Sequence, residues 1–166
     1  MGPSILASYD VATLYAKIAR DTTESQLPNG LVPDIAPEYT VFSGGFRDSP
    51  EWGSAAVILP WLLYRWYGDV RILRECHETM KRYVAYLGST AQGHIVSHGL
   101  GDWADFVKGG GVGASQLTPK ELTATAIYYH DVVLVSRTAE VLGLPEESRR
   151  YAELAREVLA AFQERL

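Results

Sequence analysis

The sequence contains one cysteine, no apolar run long enough to cross a bilayer, and fewer basic than acidic side chains. Cys76 stands alone, which excludes an intrachain disulfide and a cysteine metal cluster. The most apolar stretch, residues 54–67, makes about 21 Å of helix, whereas a bilayer needs about 20 apolar residues. Fifteen Lys and Arg against twenty Asp and Glu give a net charge of −5. This charge argues against a nucleic-acid or anionic-membrane partner.

Metal-binding and phosphate-binding patterns are also missing. The four histidines have no metal-ligand spacing, because His94 and His98 lie in a glycine-flanked segment that predicts no helix. No EF-hand spacing, Ser-His-Asp arrangement or P-loop is recognisable, and the glycines of residues 109–113 precede no phosphate-binding motif. We therefore expect no metal site and no cofactor. The first residues show neither a signal peptide nor a membrane anchor, and they indicate no compartment.

Aromatic residues, in contrast, are frequent. Ten Tyr, four Trp and four Phe make up 11% of the chain, and several lie between Gly and Asp in predicted loops. Aromatic rings fill helical cores, and they also stack on flat apolar surfaces such as the C–H faces of sugars. Composition leaves both interpretations open.

The chain is organised around residues 48–69. A glycine-rich loop leads into Asp48-Ser49-Pro50-Glu51-Trp52-Gly53, and an almost uncharged segment follows up to Gly68. A helix that is apolar nearly all round is buried on nearly all sides. We therefore predict a core helix over Trp52–Tyr67, packed between other helices. Its N-terminal end carries a tryptophan, two carboxylates and Arg47, a combination typical of ligand sites.

Periodicity and capping signals predict four further helices. Asp69 caps the second of these and Gly88 ends it. Thr118, Pro119 and Glu121 form a capping box at the start of the third. A short strand pair is predicted between them, over residues 92–99. The four helices extend over residues 1–26, 70–87, 119–142 and 146–166.

Short and long connections alternate along the chain. The turns at residues 68–69 and 143–145 are short, whereas loops 27–51 and 88–117 are long and rich in Gly, Pro and Trp. Loops of that length in a compact domain are usually functional. Alternating buried and amphipathic helices predict two layers of helical hairpins. We predict an all-α fold with about five main helices, part of an (α/α)6 toroid, in one domain over residues 1–166 with its long loops on one face.

The long loops bring carboxylates close to tryptophan in the sequence. A glycosidase uses carboxylates as acid, base or hydroxyl acceptor, and an indole stacks on the pyranose ring. Composition alone does not distinguish such a site from a solvated acidic rim. The residues concerned are Asp34, Glu38, Arg47, Asp48, Glu51, Trp52, Asp102, Trp103, Asp105 and Phe106.

Five segments together resemble the catalytic domain of bacterial α-L-rhamnosidases, in the family's order and over essentially the whole chain. The resemblance implies an (α/α)6 barrel, inverting hydrolysis of terminal α-L-rhamnosides, and a rhamnose-containing glycoside as the partner. It also implies a substrate-binding role for Trp52 and Trp103, and for Asp102 and Asp34. The segments are LVPDIAP (31–37), EWGSAAVILPW (51–61), YGD (67–69), GDW (101–103) and TPKEL (118–122).

The family's two catalytic carboxyl groups have no counterpart in these residues. The resemblance implies a general acid in an Arg-Glu…Leu-Gly-Trp motif before the first helix, and a general base on a loop after residue 166. Inverting hydrolysis needs both groups, and five helices cannot close a ring of twelve. We therefore expect a fragment of such a barrel, with no catalytic residue of its own and no hydrolysis alone. Its uncovered apolar surface predicts self-association, or association with the rest of the barrel.

Two other classes stay open at this point. One is a non-catalytic helical scaffold or carbohydrate-binding module that keeps the tryptophan pocket without chemistry. The other is a different enzyme on the same toroid, such as a trehalase- or glucoamylase-like hydrolase or a polysaccharide lyase. The sugar that quenches the fluorescence of Trp52 or Trp103 separates the last class from a rhamnosidase.

Overall fold

The protein folds into helices joined by two long loops. The computed structural model describes residues 2–103 and 115–166. A 3₁₀ turn covers Gly44–Phe46. The helices are α1 (Gly2–Leu6), α2 (Ala12–Glu24), α3 (Pro50–Gly53), α4 (Ala55–Tyr67), α5 (Val70–Thr90), α6 (Lys120–Val141) and α7 (Pro145–Arg165).

The longer helices pair into hairpins. Residues 68–69 join α4 to α5, and residues 142–144 join α6 to α7, and the two helices of each pair pack against each other. Helix α4 also packs against α2 and α6, so it lies at the centre of the described part of the chain. The predicted all-α arrangement of helical hairpins, separated by long loops, is confirmed.

Periodicity determines which helix faces are buried. Helix α5 buries Leu73, Met80 and Val84, whose spacing places them on one face of the helix. Each such side chain stabilises the fold by roughly 1.5–3 kcal/mol relative to exposure. The start of α5 is also as predicted, because the Asp69 carboxylate accepts the backbone N–H of Arg71 at 3.0 Å.

The single helix predicted for residues 1–26 is wrong, because the chain bends between α1 and α2. The Tyr67 hydroxyl accepts the backbone N–H of Val11 at 3.0 Å, and the Asp10 carboxylate accepts that of Ala12 at 3.2 Å. These bonds satisfy N–H groups that a continuous helix would have paired internally. A contact with distant α4 therefore overrides local helix propensity.

The core helix predicted for Trp52–Tyr67 is interrupted at Ser54, which separates α3 from α4. The Ser54 hydroxyl donates to the fully buried carboxyl of Asp131 on α6. Burial of α4 is also one-sided: Val57 and Leu63 are buried, whereas 47% of the Trp66 surface is exposed. The expectation that this helix is buried on nearly all sides is therefore wrong for the described residues, because they leave one face of α4 without a neighbour.

Two predicted boundaries also differ. Helix α5 does not end at Gly88 but continues to Thr90, because Gly88 does not adopt the left-handed conformation that ends a helix. The hydroxyls of Ser89 and Thr90 donate to carbonyls of the last turn. Helix α6 begins at Lys120, so Pro119 stands at the N-cap position predicted for Thr118. Pro119 has an extended ψ of 135° and therefore precedes the helix instead of forming its first residue.

The strand pair predicted for residues 92–99 is reduced to one isolated bridge, between Gln92 and Ile95. His94, between them, has a left-handed φ of 66°, which turns the chain and prevents a longer ladder. Asp105, Phe106 and the glycines of residues 109–113 lie outside the described residues. No described helix combines the length and the apolar character needed to span a membrane.

Candidate functional site

The loop before α3 and the loop after α5 meet at one rim of the helical layer. Glycines allow the close approach. A Cβ on Gly45 would lie 2.9 Å from the backbone of Gly99, and a Cβ on Gly99 would lie 2.9 Å from both Pro50 and Ser49. The Ser49 hydroxyl accepts the backbone N–H of Leu100 at 2.7 Å, which ties the two loops together.

Trp52 and Trp103 lie side by side at this rim. Their ring centroids are 6.1 Å apart, with the planes at 61°, an edge-to-face geometry. The side chains are 36% and 39% exposed, so each indole keeps surface available to a ligand. Pro50 starts the short helix that carries Trp52, and a turn from Gly101 to Trp103 positions the second indole. The structure thus brings together the two tryptophans singled out by the sequence, while their role in binding stays a prediction.

A cavity of about 380 Å³ opens beside Trp52. It lies between the N-terminal helices and the α3–α4 segment. Its walls are mainly apolar, and Glu51 is the one ionisable carboxylate among its described lining residues. The lining comprises Pro3, Tyr15, Ile18, Glu51, Trp52, Ala55, Ile58, Leu59 and Leu62.

Asp34 lies behind this rim in a partly buried position. Its carboxylate accepts the backbone N–H of Ser49 at 2.9 Å, and its own N–H donates to the carbonyl of Arg47 at 3.1 Å. Burial raises the pKa of Asp34 to about 6, and the nearby charges of Asp48 and Glu51 act in the same direction. The carboxyl group therefore changes charge in the mildly acidic range.

Asp48 connects the rim to α5. One of its carboxylate oxygens lies 3.1 Å from His98 Nε2, and the other accepts the hydroxyl of Tyr86. Burial, followed by the bond to Asp48, raises the pKa of the Tyr86 hydroxyl, so the hydroxyl stays protonated and donates. Both oxygens of Asp48 are therefore used to fix the loops.

Two other charged residues of the long loop also pair with each other. Arg47 binds Glu38 through two hydrogen bonds, of 2.6 and 3.0 Å. The bond to Arg47 lowers the pKa of Glu38, which keeps this carboxylate ionised. Asp102 is exposed on the turn before Trp103, whereas Asp34 is partly buried.

Sequence reasoning missed three partners at this site. Thr123 on α6 donates to Glu51 at 2.9 Å, across 72 residues of sequence. Asp131 binds Ser54 across 77 residues, and His98 binds Asp48 across 50. None of the three has a local sequence signal, because each contact depends on how separate elements pack. Among the described residues, no three His, Cys, Asp or Glu side chains are grouped in a way that could hold a metal ion.

A cavity of about 700 Å³, larger than the one beside Trp52, lies elsewhere, between α5 and α7. Gly88, Tyr128 and Arg150 line it, and the Arg150 guanidinium donates to the neighbouring Tyr151 hydroxyl. It contains neither tryptophan of the rim. Size alone does not define a binding site, so we assign the candidate site to the rim, where exposed indoles and positioned carboxylates meet.

The described helices superpose on solved glycosidases. The alpha-L-rhamnosidase from Dictyoglumus thermophilum matches 99% of this chain with a TM-score of 0.85 and 32% identity, and the chain covers 19% of that structure. The alpha-L-rhamnosidase from Streptomyces avermitilis, solved in complex with L-rhamnose, matches 94% of the chain with a TM-score of 0.79 and 29% identity, and the chain covers 14% of it. The hairpins therefore define the class of six-hairpin glycosidase domains, of which this chain represents a part.

Sequence comparison defines the family. A family model described as the bacterial alpha-L-rhamnosidase 6 hairpin glycosidase domain matches residues 1–166. An alpha-L-rhamnosidase of Formosa agariphila is 35% identical over 164 residues, which is 98% of this chain. The chain belongs to the bacterial alpha-L-rhamnosidase six-hairpin glycosidase family, as the motif resemblance predicts. It spans 17% of the length of that relative.

Proposed function

We propose that this chain forms the tryptophan-lined wall of an α-L-rhamnoside site, within an enzyme that hydrolyses terminal α-L-rhamnosides by inversion. The observation that carries the proposal is the pair of exposed indoles of Trp52 and Trp103, 6.1 Å apart, with the partly buried Asp34 behind them. Indole faces stack on the C–H surface of a pyranose, and carboxylates accept its hydroxyls. Asp102, exposed beside Trp103, contributes a further acceptor.

In this proposal the chain binds the sugar but does not hydrolyse it alone. The rim carboxylates already have structural partners, since Asp48 binds Tyr86 and His98, and Glu38 binds Arg47. An acid and a base on opposite faces of the sugar are both needed for inversion. We expect these groups to come from other parts of the enzyme.

Titration of the chain with L-rhamnose is expected to quench its tryptophan fluorescence, whereas D-glucose leaves it unchanged. The quench should disappear in the variants Trp52→Phe and Trp103→Phe, because each removes a stacking surface. Trp66→Phe is the matched control, because Trp66 is also exposed but lies at the far end of α4. The same preparation should release no nitrophenol from an aryl α-L-rhamnoside.

Three results would contradict the proposed function. They are equal quenching by D-glucose, quenching that survives in both rim variants, and robust aryl rhamnoside turnover that Asp102→Asn abolishes. The last of these would show that the chain contains its own catalytic carboxylate.

The proposal extends to association of the chain through its exposed apolar surface. Tyr9, Leu14, Trp66 and Tyr67 are 70%, 54%, 47% and 37% exposed, and the bond from Val11 to Tyr67 brings their segments together. Contiguous apolar surface of this kind commonly marks an interaction site. A second copy of the chain, or the remaining helices of the barrel, would cover it.

Light scattering is therefore expected to give a mass above 18.3 kDa that rises with concentration. Trp66→Lys should shift the population toward the monomer, because a charge is costly to bury in an apolar contact. Leu144→Lys serves as the control, since Leu144 is exposed at the α6–α7 turn. A monodisperse monomer at every concentration would contradict the association.

A further inference from the structure

Glu51 differs from the other carboxylates of the rim in its surroundings. It lines the cavity beside Trp52, and the ion pairs of the described residues do not include it. Asp48, by comparison, lies 3.1 Å from His98 Nε2, and Glu38 pairs with Arg47 at 2.6 Å. Glu51 therefore brings a negative charge to the cavity wall that no described cation neutralises.

Two hydroxyl donors hold the Glu51 carboxylate in place. The Ser49 hydroxyl donates to Oε2 at 3.0 Å, and the Thr123 hydroxyl donates to Oε1 at 2.9 Å. The Lys120 carbonyl is a second acceptor for the Thr123 hydroxyl, at the longer distance of 3.2 Å. The Ser49 hydroxyl donates in this bond because an ionised carboxylate only accepts, and the Ser49 oxygen in turn accepts the backbone N–H of Leu100 at 2.7 Å. The carboxylate thus has a defined orientation imposed by two loops and by α6.

The held carboxylate keeps capacity for a ligand. Each carboxylate oxygen can accept about two hydrogen bonds, and within residues 2–103 and 115–166 each oxygen of Glu51 accepts one. A charged acceptor without a cation, oriented beside an indole, suits neutral hydroxyl donors better than it suits an anion. Neighbouring hydroxyls on a pyranose ring provide such donors at a spacing that the two oxygens can match.

We propose that Glu51 is a specificity-determining residue of this site, which accepts hydrogen bonds from ring hydroxyls of the sugar that stacks on Trp52. The proposal rests on the proposed function, because it takes the rim to be the sugar site. Ser49 and Thr123 act through Glu51, as positioning residues. Neither needs to touch the sugar.

The test measures binding of methyl α-L-rhamnoside, and of its analogues that each lack one ring hydroxyl, by calorimetry on the full chain. Glu51→Gln is expected to weaken binding of the parent glycoside about tenfold or more, as for the loss of a hydrogen bond to a charged group. At least one deoxy analogue should bind the unaltered chain more weakly by a similar factor. In Glu51→Gln that same analogue should lose no further affinity, because the interacting pair is already broken.

Controls separate this proposal from the proposed function. Glu78→Gln, an exposed change on α5, should bind like the unaltered chain. If Glu51→Gln does not fold, as judged by circular dichroism, Glu51→Asp replaces it and should show the same loss of coupling. Normal affinity in the Glu51 variant, or a deoxy penalty that persists in it, would overturn the role of Glu51 alone. Absence of binding by the unaltered chain would overturn the proposed function and this inference with it.

Discussion

Replacing Gly53 with alanine is expected to lower the free energy of unfolding by about 1–3 kcal/mol. A Cβ at this position would lie 2.3 Å from the Tyr83 hydroxyl oxygen, 2.8 Å from Tyr83 Cζ and 3.0 Å from the carbonyl of Val32. Tyr83 is fully buried, and the Val32 oxygen is a backbone atom. Neither can move away from the new Cβ without disturbing the packing around it. Urea unfolding followed by circular dichroism measures the change. Because Gly53 follows Trp52 directly, the rhamnose-induced quench should weaken in the same variant.

Tyr83→Phe provides the test of this explanation. The Tyr83 hydroxyl is buried close to Ser54 but forms no hydrogen bond of ordinary geometry with any described residue, so its removal alone should cost little. Combined with Gly53→Ala, it should recover part of the lost stability, and the ring carbon at 2.8 Å accounts for the part that stays lost. Tyr86→Phe is the matched control and should give no recovery, since Tyr86 binds Asp48 instead. Strictly additive effects of Gly53→Ala and Tyr83→Phe would contradict the steric account.

Local periodicity was sufficient to predict the long helices. Helices α5 and α7 bury residues at helical spacing, and their observed bounds, Val70–Thr90 and Pro145–Arg165, lie within a few residues of the predicted ones. Such faces are readable because a helix that packs on one side must repeat its apolar residues every three or four positions. The two short turns followed from the same pattern, since they separate consecutive apolar stripes.

The two interruptions of predicted helices coincide with contacts between distant segments. The break between α1 and α2 depends on the Tyr67 hydroxyl, which binds Val11 across 56 residues. The interruption at Ser54 coincides with its bond to Asp131 on another hairpin. A single sequence gives no information on which helices will be neighbours, so these features cannot be deduced from local pattern alone.

The candidate site likewise has features that the sequence predicts and features that depend on packing. The adjacency of Trp52 and Trp103 could be predicted, because the alternation of long and short connections places both loops on one face. The hydroxyl groups that orient Glu51 could not be predicted from the sequence. Thr123, for example, lies inside a helix, where a threonine carries no functional signal. Motifs therefore identify the exposed tryptophans of the candidate site, whereas packing determines which of its side chains are held in place.

Raising the pH is expected to destabilise the protein through the buried carboxyl group of Asp131. Burial raises the pKa of Asp131 well above its ordinary value, while the bond from Ser54 only partly opposes that effect. In the unfolded chain the group titrates near its ordinary pKa of about 3.9. Between these two values the folded state holds one more proton than the unfolded state. The free energy of unfolding therefore falls as pH rises, by up to about 1.4 kcal/mol per pH unit for one group.

Asp34 contributes with the same sign but over a narrower window. Its pKa is about 6 in the folded protein, so its contribution to the slope ends near that pH. Asp34→Asn should therefore flatten the stability profile only below about pH 6. Any slope from Asp131 should continue above that point. The pH range in which the slope changes therefore separates the contribution of Asp34 from that of Asp131.

Asp131→Asn is expected to remove the slope above about pH 6 and to leave stability near pH 7.5 equal or higher. An amide oxygen still accepts the Ser54 hydroxyl, and the amide has no proton to lose in this range. Asp131→Ala should also lack the slope but be less stable than Asp131→Asn by about 1–3 kcal/mol at every pH, because it leaves the Ser54 hydroxyl without its Asp131 acceptor. Urea unfolding between about pH 4.5 and 8 measures all three proteins. If Asp131→Asn kept the slope, or were as damaging as Asp131→Ala at low pH, the group would not be the buried neutral acid that its surroundings indicate.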